Sequence, residues 1–166
     1  MKATHPLLFR EVQRFRDVWW VMALVFGVAA LQWYIFLGQI VGGAPVGNRP
    51  ASDGVVLFVW LLAGVGLPAL FLLLRLEVEV SPNAVTIRFA PLFIRVIDQR
   101  EIAGAEPVTY RPLGEFGGWG VRGWGGRVAY NVRGDQGVEL TLTDGRRVLI
   151  GTRHAAELAA AITLGH

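Results

Sequence analysis

Two uninterrupted apolar runs constrain this chain more than any other feature. Residues 18–40 read VWWVMALVFGVAALQWYIFLGQI and residues 55–74 read VVLFVWLLAGVGLPALFLLL, with no Asp, Glu, Lys or Arg in either. As helices they reach about 34 Å and about 30 Å, enough for the hydrocarbon core of a bilayer. A soluble helix of that length normally keeps a polar stripe, and neither run has one. The first run exceeds the apolar region of a signal peptide, and a second follows it. The pattern predicts two transmembrane helices, 18–40 and 55–74. Trp19 and Trp20 at one end of the first, and Trp33 and Tyr34 towards the other, resemble interfacial aromatic belts. Pro68 predicts a kink in the second helix. Gly64 and Gly66 invite close approach of another helix and Gln32 a hydrogen bond to one, so self-association is one expectation. The plainer reading is that Gly and Pro are simply common in membrane helices.

The flanking charges set an orientation. Arg10, Arg14 and Arg16 precede the first run and Arg75 follows the second, whereas the loop 41–54 has only Arg49, opposed by Asp53. The positive-inside rule places both termini in the cytoplasm of a multi-pass cell-membrane protein. Residues 1–17 form a basic cytoplasmic lead-in. Leu8, Phe9, Val12 and Phe15 recur at three and four, which predicts a short interfacial helix there; the alternative is an irregular segment.

After residue 75 the pattern changes to alternation. Strands are expected over 76–80, 84–89, 93–97, 108–111, 127–132, 138–142 and 147–150, and a helix over 155–164. Asp144-Gly145 marks a tight hairpin. Thr152 is placed as the helix N-cap and Glu157 sits in an early turn. The fold class is therefore membrane α+β: two transmembrane helices, then a cytoplasmic domain over 75–166 of about seven antiparallel strands closed by one helix.

The run DGRRVLIGTRHAAELAAAI, residues 144–162, resembles the last hairpin and C-terminal helix of bacterial pleckstrin-homology-like domains. Two membrane helices followed by such a domain is likewise an order known among small bacterial membrane proteins. The resemblance implies an antiparallel barrel or sandwich with a terminal helix, and a binding or scaffolding role with no agreed catalytic residues.

Chemistry-bearing motifs are scarce. There is no cysteine, so a disulfide, a thiol nucleophile and a thiolate metal site are excluded. His5, His154 and His166 lie far apart, without metal-ligand spacing. No phosphate loop and no GxSxG occurs. Asp98, Glu101, Glu106 and Glu115 show no pairing for acid–base work. The net charge is only +3, and +2 of it lies in residues 1–17, which suits topology better than nucleic acid. No catalytic residue, cofactor, metal or small-molecule substrate is expected.

One segment stands apart. Residues 114–127, GEFGGWGVRGWGGR, hold seven glycines with Phe116, Trp119, Arg122, Trp124 and Arg127. Tryptophan favours the membrane boundary and arginine pairs with phosphate, so these five residues are candidates for contact with lipid headgroups or a partner. The alternative is a glycine-bulged hairpin whose aromatic residues fill a small core. The functional expectation is a non-enzymatic, membrane-anchored interaction or scaffold module. It would bind membrane lipids through anionic headgroups, another membrane protein, or itself as a homo-oligomer. The alternative is an accessory subunit of a transporter or other membrane complex.

Overall fold

In the computed structural model, which describes residues 7–124 and 126–165, the two apolar runs fold as α1 (Trp19–Val41) and α2 (Asp53–Leu73), each long and apolar enough to cross a membrane. They belong to one compact unit, residues 14–74; residues 7–13 and 75–165 form a second.

Within the first unit, α2 changes to a π-helical stretch over Trp60–Gly66 before its last turns. Pro68 explains part of this. It has no N–H for the carbonyl four residues back, that of Gly64. The Trp33 indole on α1 donates to that carbonyl instead, at 3.2 Å. Gly64 also admits α1 closely, since a Cβ there would lie 3.3 Å from Gln32 Cβ and 3.0 Å from the Trp60 ring. Gln32 and Gly64 thus meet inside one chain. Phe36 stacks on Trp60 at 4.2 Å, and Trp33 meets Trp60 edge-on at 5.1 Å. The buried Gln39 amide donates to the Ala51 carbonyl at 2.7 Å and to Asp53 at 2.9 Å, tying down the connecting loop. The interior of the pair is thin. Met22, Val25, Ala29 and Val56 are buried, while Leu24, Phe26, Leu31, Phe58, Leu61, Leu62 and Leu73 remain exposed.

The second unit carries nine strands in two sheets. The first sheet has the order β1 (Phe9–Arg14), β2 (Arg75–Val80), β3 (Ala84–Ala90), β4 (Phe93–Asp98). The second contains β5 (Ile102–Thr109), β6 (Gly120–Trp124), β7 (Arg127–Asn131), β8 (Gln136–Leu142) and β9 (Arg147–Gly151), in the order β5-β8-β9-β7-β6. A five-residue helix, α3 (Pro112–Phe116), precedes β6, and α4 (Ala155–Leu164) closes the chain.

Several expectations are corrected. Phe9–Arg14 is a strand, not an interfacial helix. Its burial alternates, with Arg10, Val12 and Arg14 exposed and Gln13 buried, and the Leu8 N–H donates to the Val80 carbonyl at 2.8 Å. Inward, Gln13 donates to the Gly151 carbonyl at 2.8 Å and the Glu11 carboxylate accepts from the Thr152 hydroxyl. The described residues form two sheets and no closed barrel, and β7 runs parallel to β9. β5 begins at Ile102, not at 108; Pro107 is tolerated because β5 is an edge strand. α4 has the expected span and buries Leu158 and Ile162, but its N-cap is His154. Thr152 instead accepts from the His154 N–H at 3.0 Å and shapes the turn before the helix.

Candidate functional site

The glycine-rich segment is a folded element. It begins on α3, where Pro112 suits the first turn because its absent N–H is unneeded there. Gly117 ends the helix in the left-handed conformation at φ 68°. Gly118 and Gly120, at φ 131° and 111°, turn the chain into β6. β6 then pairs antiparallel with β7, Val121 opposite Tyr130 and Trp124 opposite Arg127. Gly123 accommodates the partner strand, since a Cβ there would lie 3.0 Å from Val128.

This hairpin is anchored by a buried polar pair. Asn131 is fully buried; its amide nitrogen donates to the Tyr110 hydroxyl at 3.0 Å and its carbonyl accepts from the Gly120 N–H at 2.8 Å. Burial raises the Tyr110 phenol above its ordinary value, the Asn131 bond opposing. Tyr110 packs with Ala129 and Leu149, and Phe116 caps this cluster edge-on to Tyr110 at 6.0 Å.

The five candidate residues separate into distinct environments. Phe116 is half-buried and lies under the Arg127 guanidinium, 4.8 Å from the ring centre. Arg127 is committed internally, to Glu115 at 3.0 Å and Glu139 at 2.6 Å. The Glu115 carboxyl is held below its usual range, first by the Arg111 backbone N–H and then by Arg127, against some desolvation. Arg122 is exposed on β6. The side chain of Trp124 lies outside the described residues. Trp119 is half-buried and its indole donates to the Gly134 carbonyl at a long 3.4 Å.

Trp119 is the member that lines an opening. Between α3, Trp119 and the turn at Asp135 lies a cleft of about 580 Å³, walled also by Tyr110, Arg111, Leu113 and Glu115. Leu113 is 68% exposed, so the cleft has an apolar lip. Arg111 and Asp135 bring opposite charges to its wall. The sequence signals Trp119 but not Tyr110, Asn131 or Asp135. The available signal for Asn131 is a polar residue two positions from Ala129, on the same strand face.

Over residues 1–165 the chain matches the model of a family described as a family of unknown function, DUF6141. The chain belongs to that family. No curated protein and no solved structure matches it. The first sheet presents a second feature. Its outer face is ionic at the centre, where Glu77, only 3% exposed, sits between Arg10 at 2.5 Å and Arg88 at 3.6 Å. At the β4 edge the same face becomes apolar, with Ile94 and Val96 exposed.

Proposed function

We propose that this protein is a non-enzymatic interaction module held at a cell membrane by α1 and α2, with both termini cytoplasmic. The observation that carries the reading is the surface of the helix pair. Apolar side chains point outward on all sides, and only a small part of either helix is buried by the other. An apolar surface of that extent is an aggregation hazard in water and is at rest in lipid.

The binding role rests on the cleft beside Trp119. A half-buried indole, an exposed Leu113 and two opposite charges suit an apolar side chain of a partner protein flanked by polar groups. The neighbouring carboxylates support docking over catalysis. Glu115 and Glu139 are both engaged by Arg127, and the Glu115 carboxyl is held below its usual range. The pleckstrin-homology-like resemblance belongs to this proposal too. A four-stranded sheet, a second sheet and a terminal helix speak for it; the parallel β7–β9 pair departs from the expected pattern.

The test uses the full chain in its own membranes. Carbonate extraction should leave it in the pellet. A photo-crosslinking residue at Leu113 should give a discrete protein adduct that Trp119→Ala abolishes, while one at Asp144 should not. Release by carbonate removes the anchoring; equal labelling at both positions removes the cleft.

A further inference from the structure

We infer that the β3–β4 turn and the start of β4 form a second lipid contact, in which Leu92 and Ile94 enter the headgroup layer beside the point where α2 leaves the bilayer. This rests on the membrane reading above and adds a surface to it. The argument begins with covalent reach. α2 ends at Leu73, Leu74 is extended, and β2 starts at Arg75. Two residues of extended chain span at most about 7 Å, so Arg75 stands within that distance of the end of the helix. The headgroup layer adds about 5–8 Å to each side of the hydrocarbon core. Arg75 therefore lies at headgroup depth.

Strand register then brings the β3–β4 turn to the same end of the sheet as Arg75. Arg75 pairs with Ala90, the last residue of β3. Pro91 and Leu92 make the turn, and Phe93 starts β4 opposite Phe89. Neighbouring strands are roughly 4.8 Å apart, so this turn lies at the same end of the sheet as Arg75, within about 10 Å of it. The opposite end of β3, at the Ser81–Asn83 turn from β2, is roughly 20 Å further along the strands.

The side chains at this end are those a lipid boundary selects. Leu92 is 57% exposed and Ile94 58% exposed, and Phe93 is partly exposed between them. Elsewhere the same sheet face is covered by the Arg10–Glu77–Arg88 ion pairs. The most exposed apolar side chains of this face, Leu92, Ile94 and Val96, thus gather at the β3–β4 turn and along β4, while Val12 on the opposite edge is less exposed. An edge strand left to water is normally guarded by charge or a bulge, and β4 carries only Arg95 and, at the end far from this turn, Asp98. Arg95 is turned to the other face, where it donates to the Tyr130 hydroxyl at 2.9 Å. A bilayer covers such a stretch without requiring a complementary protein.

Single cysteines test this, because the chain has none of its own. Full-length protein with cysteine at Leu92, Ile94, Val96, Asn83 or Leu62 is labelled with a bimane fluorophore. Each is placed in phosphatidylcholine–phosphatidylglycerol vesicles with or without brominated acyl chains. Quenching at 92 should exceed that at 83 several-fold and fall from 92 to 94 to 96, with 62 as the lipid-embedded reference. If 62 is quenched while 92 matches 83, this inference fails and the membrane reading stands. If 62 is not quenched, both fail. If 92 is shielded from water-soluble iodide yet untouched by bromine, protein covers it and the lipid contact is refuted.

Discussion

Replacing Trp33 by phenylalanine probes how the helix pair tolerates a proline in its middle. Pro68 cannot donate to the Gly64 carbonyl, and the Trp33 indole does so from the facing helix at 3.2 Å. The smaller ring would keep an aromatic edge against Trp60, now 5.1 Å away, but would leave that carbonyl without its donor. Interhelical hydrogen bonds in membranes contribute about 0.6–1.7 kcal/mol. With part of the edge contact also lost, Trp33→Phe should cost roughly 1–2 kcal/mol, which is about a 5- to 30-fold larger opening constant. A cysteine at Ala29, buried between the helices, reads this as its maleimide labelling rate in micelles. The cycle with Pro68→Ala is decisive. That second substitution returns an N–H four residues from Gly64, so Trp33→Phe should then cost less than about 0.5 kcal/mol. An equal cost in both backgrounds would refute the account.

Three further outcomes follow from the β unit. The Arg10 hydrogen bond, against burial, holds the Glu77 carboxyl below its usual range, so its stabilisation is complete above the unfolded value near 4.3 and is lost as pH falls through the folded one; Glu77→Gln should flatten the acid limb of a pH–melting profile, and an unchanged limb would contradict this. Gly151→Ala would place a Cβ 2.6 Å from Asn131 Cβ and 2.9 Å from the Tyr110 hydroxyl. Overpacking of that kind costs about 1–3 kcal/mol, a fall of at least roughly 4 °C in melting temperature. Finally, residues 75–165 alone lack β1 and its bonds to Gly151, Thr152 and Glu77, and should show no cooperative melt. Residues 7–14 joined to 75–165 by an Asn-Gly turn should restore one, as measured by circular dichroism.

The elements legible in the sequence are those where a single period dominates. The two apolar runs, the alternation of β2 to β4 and the Leu158/Ile162 stripe of α4 each state their element directly. β1 reads as a helix because Leu8, Phe9, Val12 and Phe15 satisfy helical spacing as well as part of an alternation. Its true partners, Gly151 and Thr152, lie more than a hundred residues away, and no local pattern announces them. β6 is hidden because Gly120 and Gly123 remove the side chains that would have shown its period. Trp119 is visible as an unusual residue in an unusual segment. The cleft it lines is not, since Tyr110 and Asp135 reach it only through the pairing of β5 with β8.

The place of β1 also bears on orientation. In the sequence Arg10 counts as a topology signal, yet its guanidinium is bound to Glu77 and lies near Glu79, so it counts for less. Arg14, Arg16 and Arg75 remain on that side against Arg49 in the loop. The pairing supplies a stronger constraint that owes nothing to charge. β1 enters α1 and β2 leaves α2, and the two strands are hydrogen-bonded neighbours in one sheet. Two strands cannot pair through a bilayer, so if α1 and α2 span one, as proposed, both ends of the helix pair are required on the same side. An odd number of crossings, with one helix lying flat on the surface, would separate β1 from its sheet and expose Gln13 and Glu11. Protease-protection or glycosylation tags before residue 7 and after residue 165 should therefore always report the same side. Opposite sides would dissolve the sheet as described and, with it, the reading of the helices as a hairpin inserted between β1 and β2.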